Sequence, residues 1–157
     1  FISSSKLFLE LPLRTPEDYD RFFEWCQANF DFVIFPVERQ DDQSEVAEIM
    51  KRCHCIITTP LSNVEDLEAY RDYYISLADR KRVILSKVKF VAWDYVENHE
   101  LNPERIAGIV GSERYLGEVS HSELHTRKKN RLPVQQPALQ DGLFSRQYEQ
   151  ILCRLIG

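Results

Sequence analysis

Residues 80–97 read RKRVILSKVKFVAWDYVE, and the reading of this run decides the fold. Val83, Ile84 and Leu85, then Val88, Phe90, Val91, Ala92 and Trp93, make it the densest apolar stretch of the chain. β-Branched and aromatic side chains dominate it, which favours strand over helix. The spacing nominates Val83, Leu85, Val88, Phe90 and Ala92 as core, in one strand or in two that break near Ser86-Lys87. The run ends in a polar cluster that begins at Asp94 and continues through Glu97, Asn98, His99 and Glu100.

Toward the N-terminus, helical and strand-like patterns alternate. Lys6–Leu11 (KLFLEL) reads as a first strand stopped by Pro12. Thr15-Pro16-Glu17-Asp18 is a helix start: a hydroxyl for the N-cap, proline at the first helical position, acids in the first turn. Asp18, three residues after Thr15, stands in for the capping-box glutamate. Tyr19, Phe22, Phe23, Cys26 and Phe30 recur at helical spacing, with Asn29 as the expected C-terminal cap. Asp31–Val37 is expected to be a second strand, Ser44–Arg52 a second helix, and Cys55–Thr59 a strand closed by Pro60. A third helix runs from Ser62 or Asn63 to about Asp79.

The predicted class is therefore α/β: a two- or three-layer domain on a mainly parallel sheet of about four strands, with an irregular segment and a terminal helix after it. One domain is expected over residues 1–157. It comprises a β-α-β-α-β-α-β core to residue 98, a polar and basic segment over 99–142, and a helix over 143–157. A split β-α-β arrangement of the ferredoxin type is the rival topology. Within the middle segment, Asn102-Pro103-Glu104 opens a short helix, three of the five glycines fall at positions 108, 111 and 117, and Glu118–Lys129 reads as helix or loop. The last helix places Phe144, Tyr148, Ile151, Leu152 and Leu155 on one side.

Composition narrows the function classes. With 43% apolar and 29% charged residues, the chain is an ordinary globular one. Its charge is uneven: residues 1–79 carry a net −9 and residues 80–157 a net +4. That asymmetry is what a surface facing an anionic partner shows, and also what two complementary halves of one fold show. Cys26, Cys53, Cys55 and Cys153 form no disulfide framework and are read as reduced thiols, which favours an intracellular setting, cytosol or nucleus. No apolar run approaches the ~18 residues of a membrane span, so no membrane partner is expected. The start FISSSK has neither an initiator methionine nor a signal-peptide layout, and is expected to belong to a fragment or a processed form.

Three stretches carry candidate chemistry. Glu118, His121 and His125 would share one face of a helix, and with Asp94 they make a candidate set for a divalent metal or for acid–base work. Ser122 after His121 excludes the HExxH pattern. Arg127, Lys128, Lys129 and Arg131, with Arg114, Lys87 and Lys89 as further members, form the candidate anion-binding group. Cys53-His54-Cys55 has zinc-type ligands but no second cluster at C-x-x-C spacing, and reads as a helix-to-strand junction. No glycine-rich phosphate loop or GxSxG elbow follows any strand, so no organic cofactor is implied.

Two main functions stay open. One is a non-catalytic interaction or regulatory domain of a larger protein, which meets a protein partner, nucleic acid or a phosphorylated ligand through its basic half. The other is a metal-dependent hydrolase, of the nuclease or phosphodiesterase kind. A structural subunit docking through its C-terminal helix is the third. The approach of Asp94, His121 and His125 to one another is the observation that separates them.

Overall fold

The computed structural model describes residues 15–37, 43–96, 101–121 and 141–156. Contacts divide the chain into two compact units, Phe1–His54 with Leu77–Ile84, and Cys55–Ser76 with Leu85–Gly157. Nothing in the described helices is long and apolar enough to cross a membrane.

In the first unit, α1 spans Pro16–Asn29 and α2 spans Gln43–Arg52. The start of α1 follows from its sequence. Thr15 Oγ1 accepts from the Asp18 amide at 3.2 Å, and Asp18 Oδ2 accepts from the Thr15 amide at 3.0 Å, closing the capping box. Asn29 does not take the expected left-handed cap. Its side-chain amide instead donates to Trp25 O at 2.7 Å, and Phe30, in extended conformation, ends the helix. Tyr19, Phe23 and Ile49 form the buried cluster, with Phe22, Phe35 and Cys53 packed on it.

Arg52 ties the two helices together. Its guanidinium reaches Asp20 Oδ1 (2.6 Å), Glu48 Oε2 (2.7 Å) and the carbonyl of Pro16 (3.0 Å), and lies over the Tyr19 ring. The hydrogen bonds from Lys51 and Arg52 hold the Glu48 carboxyl below its usual range. Residues 31–37 correct the expectation of a second strand: they join no ladder among the described residues. A strand exists only through its pairing. Here Phe35 turns inward onto Phe22 and Phe23, while Phe32 and Ile34 stand 91% and 83% exposed. The strand expected at Lys6–Leu11 lies outside the described residues.

The second unit holds the sheet. Its strands are β1 (Ile56–Thr58), β2 (Val88–Tyr95) and β3 (Tyr115–Ser120), parallel and in the order β1-β2-β3. Parallel neighbours require crossovers, which α3 (Val64–Lys81) and α4 (Pro103–Val110) supply. The described sheet thus has three strands against the four expected, and all of them are parallel. The opening run gives one strand, not two, because Leu85–Lys87 forms a 3-10 turn ahead of it. Val83, Val88, Phe90 and Ala92 are buried as expected, and Leu85 is half-buried.

The two faces of β2 pack differently. Phe90 meets Tyr74 of α3 edge-on at 6.1 Å between ring centres. Val91 clusters with Leu116, Val119 and Ile151 of the last helix, α5 (Asp141–Ile156), and Trp93 and Leu155 cover that cluster. The terminal helix is less one-sided than its sequence promised: Ile151 is buried, whereas Tyr148 and Leu152 face solvent. A step of one residue turns a helix by about 100°, so the Ile151–Leu155 row reaches the sheet and the Tyr148–Leu152–Ile156 row does not.

The largest correction falls on the start of Glu118–Lys129. Tyr115–Ser120 is a strand, so Glu118 belongs to β3, and residues 122–140 lie outside the description. Gly117 disguised it, since a glycine inside a strand weakens the pattern that would mark one. Its φ of +148° and its closeness to α5 explain the glycine: an added Cβ would stand 3.2 Å from Ile151 Cγ1.

Candidate functional site

In a parallel sheet, ligands gather beyond the carboxyl ends of the strands. Here those ends carry Ser62, Asp94 and His121. The chain leaving β1 is fixed against β2. The Trp93 amide donates to Pro60 O at 2.8 Å, and Trp93 O accepts from both the amide and the hydroxyl of Ser62, at 2.9 and 2.7 Å. Asn63 Oδ1 then accepts from the Asp66 amide at 2.8 Å, and Asp66 Oδ2 accepts from the Leu61 amide at 2.7 Å, which closes the first turn of α3. Ser62 is therefore a structural clasp on β2.

One residue further, β2 breaks its own rule. Trp93 pairs with Val119 and Tyr95 with Ser120, so Asp94 is an extra residue in the ladder, at φ +61°. This bulge leaves Tyr95 buried and lifts Asp94 to the rim. An aspartate in the left-handed region is an uncommon conformation, and such residues cluster at functional sites. His121 follows the last residue of β3. Its amide donates to Tyr95 O at 2.8 Å, and its Nδ1 lies 2.6 Å from Asp94 Oδ1. Both side chains are 44% exposed.

The chemistry of this pair follows from its donor inventory. An ionised carboxylate only accepts, so Nδ1 carries the hydrogen and donates it. The neutral imidazole then has its lone pair on Nε2, which no partner engages among the described residues. A histidine oriented through Nδ1 by a carboxylate, with Nε2 open, can take up a proton at Nε2 while the carboxylate stabilises the imidazolium. The same orientation suits a histidine that ligates a metal.

Of the residues nominated for metal or acid–base work, Asp94 and His121 come together. Glu118 does not join them. It accepts a short hydrogen bond from the Tyr115 hydroxyl, and burial together with this carboxylate pushes that hydroxyl far above its ordinary range. Among the described residues no group of three or more histidine, cysteine or acidic side chains is close enough to hold a metal ion. His125 lies outside the description, as do Arg127, Lys128, Lys129 and Arg131.

The further basic members sit at the opposite end of the sheet. Lys89 Nζ donates to Glu113 O at 3.0 Å, and Arg114 Nε lies 3.2 Å from Glu113 Oε1. That contact is an ion pair rather than a hydrogen bond, because Arg114 Nε is buried without an aligned acceptor. The Arg114 side chain folds over Gly111, where a Cβ would stand 2.7 Å from its terminal nitrogen. As for the thiols, burial raises both Cys55 and Cys26, which disfavours their thiolate forms.

Sequence reasoning missed how α5 seals the edge of β3. Gln147 Oε1 accepts from the Ser120 amide at 3.2 Å, Gln147 Nε2 donates to Ser120 Oγ at 2.7 Å, and Arg154 donates to Leu116 O at 2.9 Å. The signal was present: Gln147, Ile151 and Arg154 are spaced by four and three, one helix face with polar ends and an apolar centre. Such caps satisfy an edge that would otherwise template further pairing. Comparison with protein-family models, with curated proteins and with solved structures gives no match, so the function rests on this geometry.

Proposed function

We propose that the protein is a hydrolase of anionic esters, phosphodiesters foremost, whose proton-transfer pair is His121 and Asp94. The single observation that carries the reading is the 2.6 Å contact between His121 Nδ1 and Asp94 Oδ1 at the carboxyl ends of β2 and β3, made by a bulge that holds Asp94 at φ +61°. His121 Nε2 takes the proton of the attacking water, and Asp94 keeps the imidazole in the tautomer that can do so. Positive charge for the substrate comes from Arg127, Lys128, Lys129 and Arg131, six to ten positions beyond His121 in the sequence. Were a divalent metal to take part, His121 Nε2 would serve as its ligand in place of its role as base, and the metal would supply the activated water. The free cysteines support an intracellular setting for this activity.

The test is turnover of bis-p-nitrophenyl phosphate and p-nitrophenyl phosphate by the full chain, with and without Mn²⁺. We expect hydrolysis that falls by about 10²- to 10⁴-fold in His121→Ala. No turnover by the folded wild type, or full turnover by His121→Ala, overturns the reading. A second reading is a non-catalytic domain that binds an anionic partner through the same basic segment. It is favoured by the net +4 of residues 80–157. It predicts heparin retention that weakens steeply with salt and drops when Arg127, Lys128, Lys129 and Arg131 are neutralised, with no turnover at all.

A further inference from the structure

The edge of β3 carries a second feature, apart from the Asp94–His121 pair. A cavity of about 90 Å³ lies between β3 and α5, bordered by Tyr115, Glu118, Gln150 and Arg154 over Gly117 and Ile151. Its walls bring a carboxylate and a guanidinium to one space. Among the described residues no ion pair joins these two groups to each other or to a third.

Each charge is held by a neutral partner. The Tyr115 hydroxyl donates to Glu118 Oε2, and Arg154 Nη1 donates to the carbonyl of Leu116 at 2.9 Å. Both keep capacity to spare, since a carboxylate has a second oxygen and a guanidinium has several more N–H groups. The site is thus preorganised, with its ordering cost met in the folded protein. The absent side chain at Gly117 matters too, because it lets Ile151 close down on the strand and gives the cavity its floor.

We propose that this cavity binds a small zwitterion, an α-amino acid with a short side chain, with its ammonium on Glu118 and its carboxylate on Arg154. A lone anion would meet Arg154 but face the Glu118 carboxylate. A lone cation would meet Glu118 but face Arg154. Only a ligand with both signs satisfies both walls. Size narrows the class. A closed cavity of ~150 Å³ holds the six heavy atoms of benzene, so about 90 Å³ encloses about four, and glycine or alanine, with five or six, fits with its remaining atoms at the open mouth.

The test titrates the full chain with glycine, L-alanine, acetate and methylammonium, followed by amide chemical shifts and calorimetry. We expect saturable binding of glycine or alanine with a Kd of about 1 mM or below. Acetate and methylammonium should bind at least about 10-fold more weakly, each having lost one charged contact. Glu118→Gln keeps an acceptor for Tyr115 and should weaken amino-acid binding about 10-fold or more, as should Arg154→Gln. Should Arg154→Gln fail to fold, Glu118→Gln and the one-charge probes decide. His121→Ala should leave binding unchanged, which keeps this site separate from the proposed catalytic pair. No saturable shift with glycine or alanine, or acetate binding as tightly as glycine, overturns the proposal.

Discussion

Asp94 gives the sharpest separation between a residue kept for the fold and one kept for its chemistry. Its backbone sits at φ +61°, where an L-residue is disfavoured by about 1–2 kcal/mol. Replacement by glycine removes that strain. Two terms oppose the gain: the extra freedom of glycine in the unfolded chain, about 0.4–1 kcal/mol, and the exposed pair with His121, about 0.2–1 kcal/mol. The terms nearly cancel, so Asp94→Gly should fold within about 1 kcal/mol of the wild type. Asp94→Val keeps the left-handed backbone, adds a β-branch and loses the pair, and should fall at least about 2 kcal/mol below it. Asp94→Asn belongs near the wild type, because its short polar side chain tolerates this conformation. Urea unfolding of the four proteins at pH 7 measures the series. The same samples enter the phosphodiesterase assay, where Asp94→Gly should be folded and nearly inactive. An Asp94→Gly protein destabilised by more than about 2 kcal/mol would refute the reasoning, since it would mean that the carboxylate holds the sheet end together.

The other predictions concern the packing around the two units. Gly117→Ala combines a strained φ of +148° with a 3.2 Å approach to Ile151, and should cost about 2–4 kcal/mol in urea unfolding while loosening α5 from β3. Arg52→Met removes the bonds to Asp20, Glu48 and Pro16 and should cost about 1.5–3 kcal/mol, with Arg52→Lys recovering less than half, because an ammonium cannot span three acceptors. Tyr115 and Tyr74 are raised in the folded state chiefly by burial, so their stabilisation is complete below the unfolded tyrosine range of about pH 10 and is lost as pH rises beyond it. Urea midpoints should therefore fall from pH 9 upward, and less steeply in Tyr115→Phe. For Glu48, lowered by Lys51 and Arg52, the sign is opposite: its contribution is present above the unfolded carboxyl range and is lost as pH falls through it, a loss that Glu48→Gln should abolish.

What was legible in the chain is what local physics decides. The capping box at Thr15 and Asp18 and the Asn102 cap with Pro103 behind it both depend on groups within a few positions of one another. Core residues of β2 were legible for a similar reason: a run of β-branched and aromatic side chains has few places to go except a buried strand. Pairing is not local. Asp31–Val37 has the composition of a strand and joins no described ladder, while Tyr115–Ser120, with a glycine at its centre, does pair. In β3 the deciding contacts come from β2 and from Ile151, Gln147 and Arg154, which are about thirty residues away in sequence and invisible to any short window.

The site shows the same division more sharply. On a helix, Glu118 and His121 share a face. On a regular extended chain, a separation of three puts them on opposite sides, and Glu118 turns instead to Tyr115, which the extra residue Leu116 in the β3 ladder brings to its side. The period chosen for the twelve letters Glu118–Lys129 therefore decided which carboxylate His121 would meet. The correct partner came from a rule that does not depend on period: parallel strands bring their carboxyl ends to one edge, so an acid at the end of β2 and a histidine at the end of β3 become neighbours. Even that rule gives only proximity. The contact itself depends on one inserted residue, because in an unbulged β2 Asp94 would take the place opposite Ser120 that the buried Tyr95 now holds, instead of standing at the rim. A single deletion in β2 just before Asp94 is thus expected to keep the strand and lose the pair, which is the structural form of the claim that this bulge serves the histidine.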